Sequence, residues 1–214
     1  MQRWKHGIAV LCTAALVAGC GGTSQAQQQT ATPPPSTGGG STGAPQRDVS
    51  RQVVLQNTDL PIGFTQLASK PIPLARELQH ESRSAMAADR RSYLGGFETT
   101  YSNGVVVVES TASVYKSAHD AHLVLTDPIG LHRGLTELHG HLIHVPRGAP
   151  GQDGLLIAGH VTSSGQRIPL LAYGWRDGRA LCLLAVAGQS GVASQLGELS
   201  RIEDGHASQL GLTG

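Results

Sequence analysis

Three apolar segments near the C-terminal end of the sequence, separated by short turns, constrain the fold most. They span residues 155–162, 168–176 and 179–187. Ser164-Gly165 and Asp177-Gly178 lie between them and are typical turn residues, so the pattern predicts consecutive antiparallel hairpins. The last segment is apolar on both faces, which predicts a central strand that is covered on each side. The sequence therefore predicts a β-sheet with other elements packed on it.

A second hairpin is predicted from residues 93–101 and 105–115. Both stretches alternate with a period of two, which is typical of strands with one buried face. Asn103-Gly104 joins them, and this pair favours a tight turn because both residues tolerate positive φ. The predicted sheet therefore contains two sets of sequential antiparallel strands.

Apolar residues at helical spacing predict three helices. They span residues 73–90, residues 117 to about 127, and residues 192–210. Residues 130–154 are irregular and rich in Gly, Pro and His, and within them only residues 138–145 predict a further short strand. This order predicts a single α+β domain over residues 50–214, in which helices pack on an antiparallel sheet of about five strands.

The N-terminal residues have the layout of a secretory signal. Arg3 and Lys5 precede an uncharged apolar run that ends at Ala18, and the run is shorter than the ~20 residues that span a bilayer. The sequence Leu-Val-Ala-Gly-Cys at residues 16–20 resembles the bacterial lipobox, which implies cleavage after residue 19 and a lipid on the Cys20 thiol. The alternatives are an ordinary signal with a chance cysteine and an uncleaved anchor. The lipobox interpretation predicts a protein held by lipid at the cell membrane, on the extracytoplasmic face.

Residues 20–49 predict a disordered tether. Their composition is dominated by Gln, Thr, Ser, Pro and Gly, with short runs of Gln, Pro and Gly. Such a stretch buries too little apolar surface to offset the entropy of ordering it. The predicted organisation is therefore a signal peptide over residues 1–19, a tether, and one folded domain.

Charge and cysteine content exclude some classes of protein. The chain carries 16 basic and 15 acidic side chains, and Arg3 and Lys5 are lost with the predicted signal peptide. The remaining chain is close to neutral, so a basic surface for nucleic acid is not indicated. Cys182 is the one cysteine in the predicted domain, which leaves no pair for an internal disulfide, and its apolar neighbours predict a buried residue rather than a nucleophile.

The sequence contains three short motifs, namely Leu-Pro-Ile-Gly-Phe at residues 60–64, Val-Tyr-Lys-Ser-Ala at residues 114–118 followed by Ala121, and Trp-Arg-Asp-Gly at residues 175–178. Together they resemble the motifs of a loose family of uncharacterised lipoproteins from actinobacterial and related high-GC lineages. More distantly, the outline is similar to the Mog1/PsbP-like and mycobacterial sensor-domain lipoproteins. The resemblance implies an α+β fold that binds partners or ligands, together with an envelope location.

A group of histidines predicts a metal site. His139 and His141, two residues apart on a strand, would share one face and could bind Zn²⁺ or Cu²⁺, with His132 or His160 as a third ligand. His144 would point to the other face. The alternative is a histidine-rich surface loop without metal. His119 and His122, three residues apart on a predicted helix, could also pair.

Three aromatic residues predict an apolar pocket, namely Phe97, Tyr173 and Trp175, although large aromatic residues are also common in cores. The sequence contains no G-x-S-x-G, H-E-x-x-H, P-loop or G-x-G-x-x-G motif, so no catalytic residue is predicted. The favoured function is a non-catalytic envelope module that binds a protein partner, a lipid or a small ligand. The alternatives are a protein that binds Zn or Cu through residues 132–160, and a hydrolase with an unfamiliar site in residues 130–154. Apart from the lipid and this metal, no cofactor is predicted.

Overall fold

The computed structural model describes residues 44–79, 81–163 and 165–213, with side chains from residue 49 onward. The predicted signal peptide, Cys20 and the tether up to residue 43 lie outside these ranges. No helix in the described part is long and apolar enough to cross a membrane.

Within the described residues, seven strands form one antiparallel sheet. They are β1 (Thr65–Ile72), β2 (Tyr93–Ser102), β3 (Val106–Tyr115), β4 (His141–Ile143), β5 (Asp153–Ser163), β6 (Gln166–Asp177) and β7 (Ala180–Gly188). Their order across the sheet is β1-β2-β3-β7-β6-β5-β4. The predicted α+β class and antiparallel sheet are confirmed, and β7 is central as predicted. The sheet has two more strands than the five expected, one at each edge.

Six α-helices and one 3-10 turn accompany the sheet in the described part of the chain. The helices are α1 (Ala44–Val53), α2 (Leu74–Glu77), α3 (Arg83–Ser92), α4 (Ala118–Leu125), α5 (Pro128–Glu137) and α6 (Val192–Gln209), and the turn covers Asn57–Asp59. Helix α1 includes residues 44–49, so it begins before the domain boundary predicted at residue 50. Val53, Val54 and Leu55 are fully buried, which anchors the end of α1 in the core.

The two edge strands lie outside the estimate of five, although a short strand was predicted at residues 138–145, where β4 lies. β1 was not predicted because most of its residues are exposed and it contains Pro71, so it shows little alternation. It pairs only with β2, with a bulge between Gln66 and Ala68, as is typical of an edge. β4 is shorter than the predicted strand at residues 138–145.

Residues 138–140 close helix α5 instead of extending β4. The amide of Gly140 donates to the Leu135 carbonyl at 2.8 Å, and that of His139 donates to the Thr136 carbonyl at 3.3 Å. This is a Schellman arrangement with His139 in the left-handed region at φ 44°. The prediction of a strand at His139 was therefore wrong.

The predicted helix over residues 73–90 is two helices, α2 and α3. Ser82 begins the second one, since its hydroxyl accepts from the amide of Ala85. Ser117 caps α4 as predicted, by accepting from the amide of Asp120. The irregular stretch was predicted from residue 130, but α5 extends to Glu137 with Pro128 in its first turn.

The sheet has two differently covered faces. The packed face includes Phe97, Ala112, Trp175 and Leu184, and it forms one core with the end of α1 and with α6. The opposite face, here called the cavity face, includes Glu98, Thr111, Ser113, Ala172 and Leu181 and is covered by α2 to α5. Residues alternate between the faces along each strand, which places apolar packing and a polar stripe on opposite sides of the same strands.

Candidate functional site

A cavity of about 140 Å³ lies between the cavity face and the elements that cover it. Its apolar lining comes from the sheet and from the helices α4 and α5, and includes Leu125, Leu131, Ile157, Ala172, Leu181 and Leu183. Gly174 of β6 also lines it. An engineered cavity of about 150 Å³ in another protein holds benzene, so this space suits one ring or a short alkyl group.

The polar lining of the cavity comes from Thr111 and Ser113 of β3, from α5 and from the connections before α3 and α5. Glu77 ends α2, Glu81 precedes α3, Asp127 precedes α5, and Arg133 lies on α5. Arg133 donates from Nε to Glu137 at 3.0 Å, which balances its charge. The cavity therefore has an apolar body and a predominantly acidic side.

Glu77, Glu81 and Asp89 form the most acidic part of this region. Their carboxylate oxygens lie within 4.8 Å of one another, and it is the one group of three His, Cys, Asp or Glu side chains in the described ranges that is close enough to hold a metal ion. Glu77 and Asp89 are buried, and the Ser113 hydroxyl donates to Glu77 at 3.3 Å. An oxygen-only set of this kind suits a hard cation such as Ca²⁺.

Asp127 links the helices around the cavity and is 3% exposed. Its Oδ2 accepts from the amide of Gly130 at 2.8 Å, which caps α5, and from the amide of Ser82 at 3.2 Å. Its Oδ1 is also buried and has no hydrogen-bond donor within the described part of the chain. Nη2 of Arg133 and Oε2 of Glu137 are likewise buried without a hydrogen-bond partner among the described residues, so this region holds both donors and acceptors of that kind.

Further charges lie beneath α2 on the same face of the sheet. Glu98 binds Lys70 at 3.1 Å and Arg76 at 2.7 Å. Glu109 lies on the neighbouring strand. Burial and the nearby charge of Glu98 raise the pKa of Glu109 to about 8, although Arg76 and Lys70 act to lower it. Glu109 is therefore mainly protonated at neutral pH.

The structure brings together two of the histidines predicted to bind metal. The rings of His139 and His160 stack with centroids 5.0 Å apart. Gly159 permits this approach, since a Cβ there would lie 2.5 Å from the Leu138 carbonyl. The other three histidines of the group are exposed, namely His132, His141 and His144. Among the described residues, no three histidines have ligand atoms within 4.8 Å of one another, and metal binding here stays a prediction.

The predicted aromatic pocket residues lie on the packed face. Phe97, Tyr173 and Trp175 are 9%, 4% and 0% exposed and belong to the core of that face. Tyr173 and Trp175 stack at 5.1 Å, and Trp175 donates to Asp204 at 3.1 Å. None of the three lines the cavity, which opens on the opposite face.

Two other groups that the sequence indicated are the His119–His122 pair and Cys182, and the structure shows the surroundings of each. His122 lies 3.0 Å from Asp153, which also accepts from Arg176, and these hydrogen bonds lower the pKa of Asp153. His119 is exposed. Cys182 is fully buried, and this burial, with nearby carboxylates, raises the pKa of its thiol well above the usual value. The thiol is therefore protonated, which favours the interpretation of Cys182 as a core residue.

Sequence reasoning missed the acidic side of the cavity. Glu77, Glu81 and Asp89 fell inside one predicted helix, where acidic residues usually face solvent, and Asp127 was interpreted only as the end of α4. One signal could have identified the break: Ser82 stands in a polar stretch before Ala85, as an N-cap residue does.

No protein-family model and no curated protein matches this sequence. Among solved structures, the extracellular domain of PknH from Mycobacterium tuberculosis has a similar outline. The superposition has a TM-score of 0.49 at 7% sequence identity, and it covers 74% of this chain and 96% of that chain. At this level the likeness concerns the outline of the two folds alone.

Proposed function

We propose that this chain is a lipid-anchored envelope protein whose domain binds a small, largely apolar ligand in the cavity. The observation that carries the proposal is the cavity itself. The cavity is partly open to solvent and its lining is mainly apolar. An apolar ligand that displaces water from this lining would gain about 25 cal/mol per Å² of apolar surface removed from water. Binding, without catalysis, is therefore the proposed activity.

Gly174 supports this interpretation. Glycine weakens the interior of a strand and often marks a place where a ligand approaches the backbone. A Cβ at Gly174 would lie 3.6 Å from the side chains of Leu125 and Leu183, which is ordinary contact. A side chain larger than alanine at this position would extend into the space between these leucines and reduce the cavity.

Substitution at Gly174 tests the binding proposal. The protein would be the chain from residue 20 with Cys20→Ala, and the probe would be benzyl alcohol, followed by NMR shifts of the backbone amides. We expect shifts along β6 and β7 that persist in Gly174→Ala and disappear in Gly174→Leu, because the leucine side chain would occupy the cavity. Equal binding by Gly174→Leu, or no binding by the parent chain, would contradict the proposal.

The anchoring part of the proposal rests on Cys20 and the preceding signal. Radiolabelled palmitate should be incorporated into the full chain expressed in an actinobacterial host, and the label should be absent from Cys20→Ala. The unlabelled variant should leave the membrane fraction, since an acyl chain contributes about 0.8 kcal/mol per buried methylene. Labelling of Cys20→Ala, or its unchanged sedimentation with membranes, would refute lipid attachment at this residue.

A second candidate function is transition-metal binding at His139 and His160. The stacked rings place two imidazoles together, and His141 lies nearby on β4. Calorimetry with Zn²⁺ should give saturable binding that is lost in His160→Ala and retained in His119→Ala, which serves as the exposed control. Equal binding by both variants would indicate adventitious sites.

A further inference from the structure

We infer that one corner of the sheet contacts the lipid bilayer directly, with Ile62 and Val105 entering the interface between headgroups and acyl chains. This apolar corner comprises residues 61–67 and 102–106. The inference rests on the anchoring part of the proposed function, because the anchor keeps the domain beside a membrane. It adds a second membrane contact, which orients the domain.

Two connections project from the apolar corner. Residues 61–64 lead into β1, and Thr65, the first residue of β1, pairs with Ser102 at the end of β2. The turn at residues 103–105 then joins β2 to β3. The two connections therefore lie at the same end of neighbouring strands.

The apolar corner exposes three large apolar side chains. Ile62 is fully exposed, Val105 is 65% exposed, and Leu67, at the bulge of β1, is 42% exposed. A Cβ at Gly63 or Gly104 would meet no atom within 4 Å, so both connections protrude from the domain. Single exposed apolar residues are common, whereas a group of them at one corner indicates a contact surface.

No residue of the apolar corner is charged. Its polar side chains belong to Thr65, Gln66, Ser102 and Asn103. The carboxylate of Asp59, two residues before the corner, accepts from the amide of Gln56 and is 15% exposed. An ionised group costs far more free energy to remove from water than a hydroxyl or an amide does, so this corner can enter a bilayer interface at low cost.

The backbone of the β2–β3 turn is equally suited to leave water. Asn103 accepts through Oδ1 from the amides of Val105 at 3.0 Å and Val106 at 2.8 Å. The Ser102 hydroxyl accepts from the amide of Gly104 at 3.0 Å. The amide of Asn103 donates to the carbonyl of Val106 at 3.2 Å. All of these amides have acceptors within the protein, so none would lose its hydrogen bond in lipid.

The length of the predicted tether favours a membrane as the occupant of this corner. Residues 20–43, which number 24, lie between the predicted lipid and the start of α1. A flexible chain of that length spans about 27 Å on average. This span is close to the length of a ten-residue strand such as β2, about 33 Å. The apolar corner can therefore reach the bilayer that holds the anchor.

Tryptophan substitutions test this contact. The chain from residue 20 would be coupled through Cys20 to a maleimide lipid in phosphatidylcholine vesicles, so that the linkage replaces the natural anchor. Cys182 is fully buried and does not compete for the maleimide. Part of the phosphatidylcholine would carry bromine on its acyl chains, because bromine quenches the fluorescence of a tryptophan that it contacts. Ile62→Trp is compared with Ile129→Trp, a control at a position of α5 that is 53% exposed.

We expect the brominated vesicles to remove about half of the emission added by Ile62→Trp, because a side chain in the interface lies within reach of the acyl chains. The emission added by Ile129→Trp should be unchanged. Trp175 is buried and contributes the same background to both variants. No quenching of Ile62→Trp, or equal quenching of the two variants, would overturn the inference. The coupling is chemical, so this result is independent of the palmitate labelling that tests the anchor.

The contribution of Val105 is tested in the Ile62→Trp background. Val105→Ser should reduce the quenching by bromine, because the two connections enter the interface together. Leu142→Ser, at a position of β4 that is 45% exposed, should leave the quenching unchanged. Equal quenching in the two double variants would overturn the role of Val105.

A second copy of the chain is the alternative occupant of the apolar corner. Analytical ultracentrifugation of the Cys20→Ala chain from residue 20, without vesicles, distinguishes the two. We expect a monomer, and we expect Ile62→Ser to sediment in the same way. A dimer that Ile62→Ser dissociates would assign the corner to a contact between copies and overturn the membrane contact.

Discussion

Trp175 on the packed face and Glu109 on the cavity face are both buried, but their surroundings differ. Trp175 stacks on Tyr173, donates to Asp204 and lies within a large apolar core. Glu109 lies beside the ion pairs of Glu98, and its burial raises its pKa to about 8. The packed face holds the largest apolar cluster of the described residues, whereas the other face combines two smaller apolar clusters with ion pairs and the cavity.

Because of this difference, the packed face mainly stabilises the domain, and the proposed ligand binding is confined to the cavity face. Apolar contacts of the packed face hold the strands in register, so the cavity face can keep an unfilled volume and buried carboxylates that reduce stability. A rigid scaffold with a destabilised site is the usual arrangement in binding proteins.

The largest effect is expected at Trp175. Trp175→Ala should reduce the free energy of unfolding by about 3–5 kcal/mol, because it empties a fully buried site and removes the indole donor to Asp204, which keeps its hydrogen bond from the Gly151 backbone. Urea denaturation measures this loss. Trp175→Phe should lose clearly less, and a loss below about 1 kcal/mol for the alanine variant would contradict the central role of the packed face.

Glu109 should make stability depend on pH. Its pKa is raised in the folded state, so the folded chain holds a proton that the unfolded chain releases, and stability falls as the pH rises from about 5 to about 8. The slope contributed by Glu109 should not exceed about 1.4 kcal/mol per pH unit. Glu109→Gln should flatten this dependence, whereas Glu198→Gln, at an exposed position, should not. Parallel pH profiles for the parent chain and Glu109→Gln would refute the assignment.

Ser110 should have an intermediate effect on the packed face. Its hydroxyl accepts from the amide of Leu55 at 3.0 Å and donates to the buried Glu203 at 2.9 Å. Ser110→Ala removes both bonds and should lower stability by about 1–2 kcal/mol in chemical denaturation. Ser194→Ala, at an exposed position of α6, should be close to neutral, and similar losses for the two would argue against a buried network.

The smallest effect is expected at Asp153, a partly exposed residue. Arg176 and His122 bind it and lower its pKa, so its contribution is present at neutral pH and is lost as the pH falls below the usual range of aspartates. Asp153→Asn should cost less than about 1 kcal/mol at pH 7, and this cost should shrink as the pH is lowered below the usual range of aspartates, as measured by thermal unfolding. A larger loss at pH 3 than at pH 7 would reverse the expected sign.

Much of the fold was predictable because its signals are local. The alternation of β2 and β3 and the Ser117 cap each depend on neighbouring residues, and the structure confirms them. The predicted hairpin also forms, but of the Asn103-Gly104 pair Gly104 alone has positive φ (84°), and the Asn103 side chain accepts from the amides of Val105 and Val106. β1 was missed because an exposed edge strand has no alternation to detect. His139 was misplaced because a helix cap and a short strand look alike in sequence.

The sequence by itself determined the α+β class, the antiparallel hairpins and the central position of β7, since periodicity and turn chemistry act over a few residues. Only the tertiary structure decided which aromatic residues form core and which acids meet. Glu77, Glu81, Asp89 and Asp127 lie on separate helices and connections, and their distances depend on how those elements pack. A cavity is the volume that several elements leave unfilled together, so no single stretch of sequence encodes it.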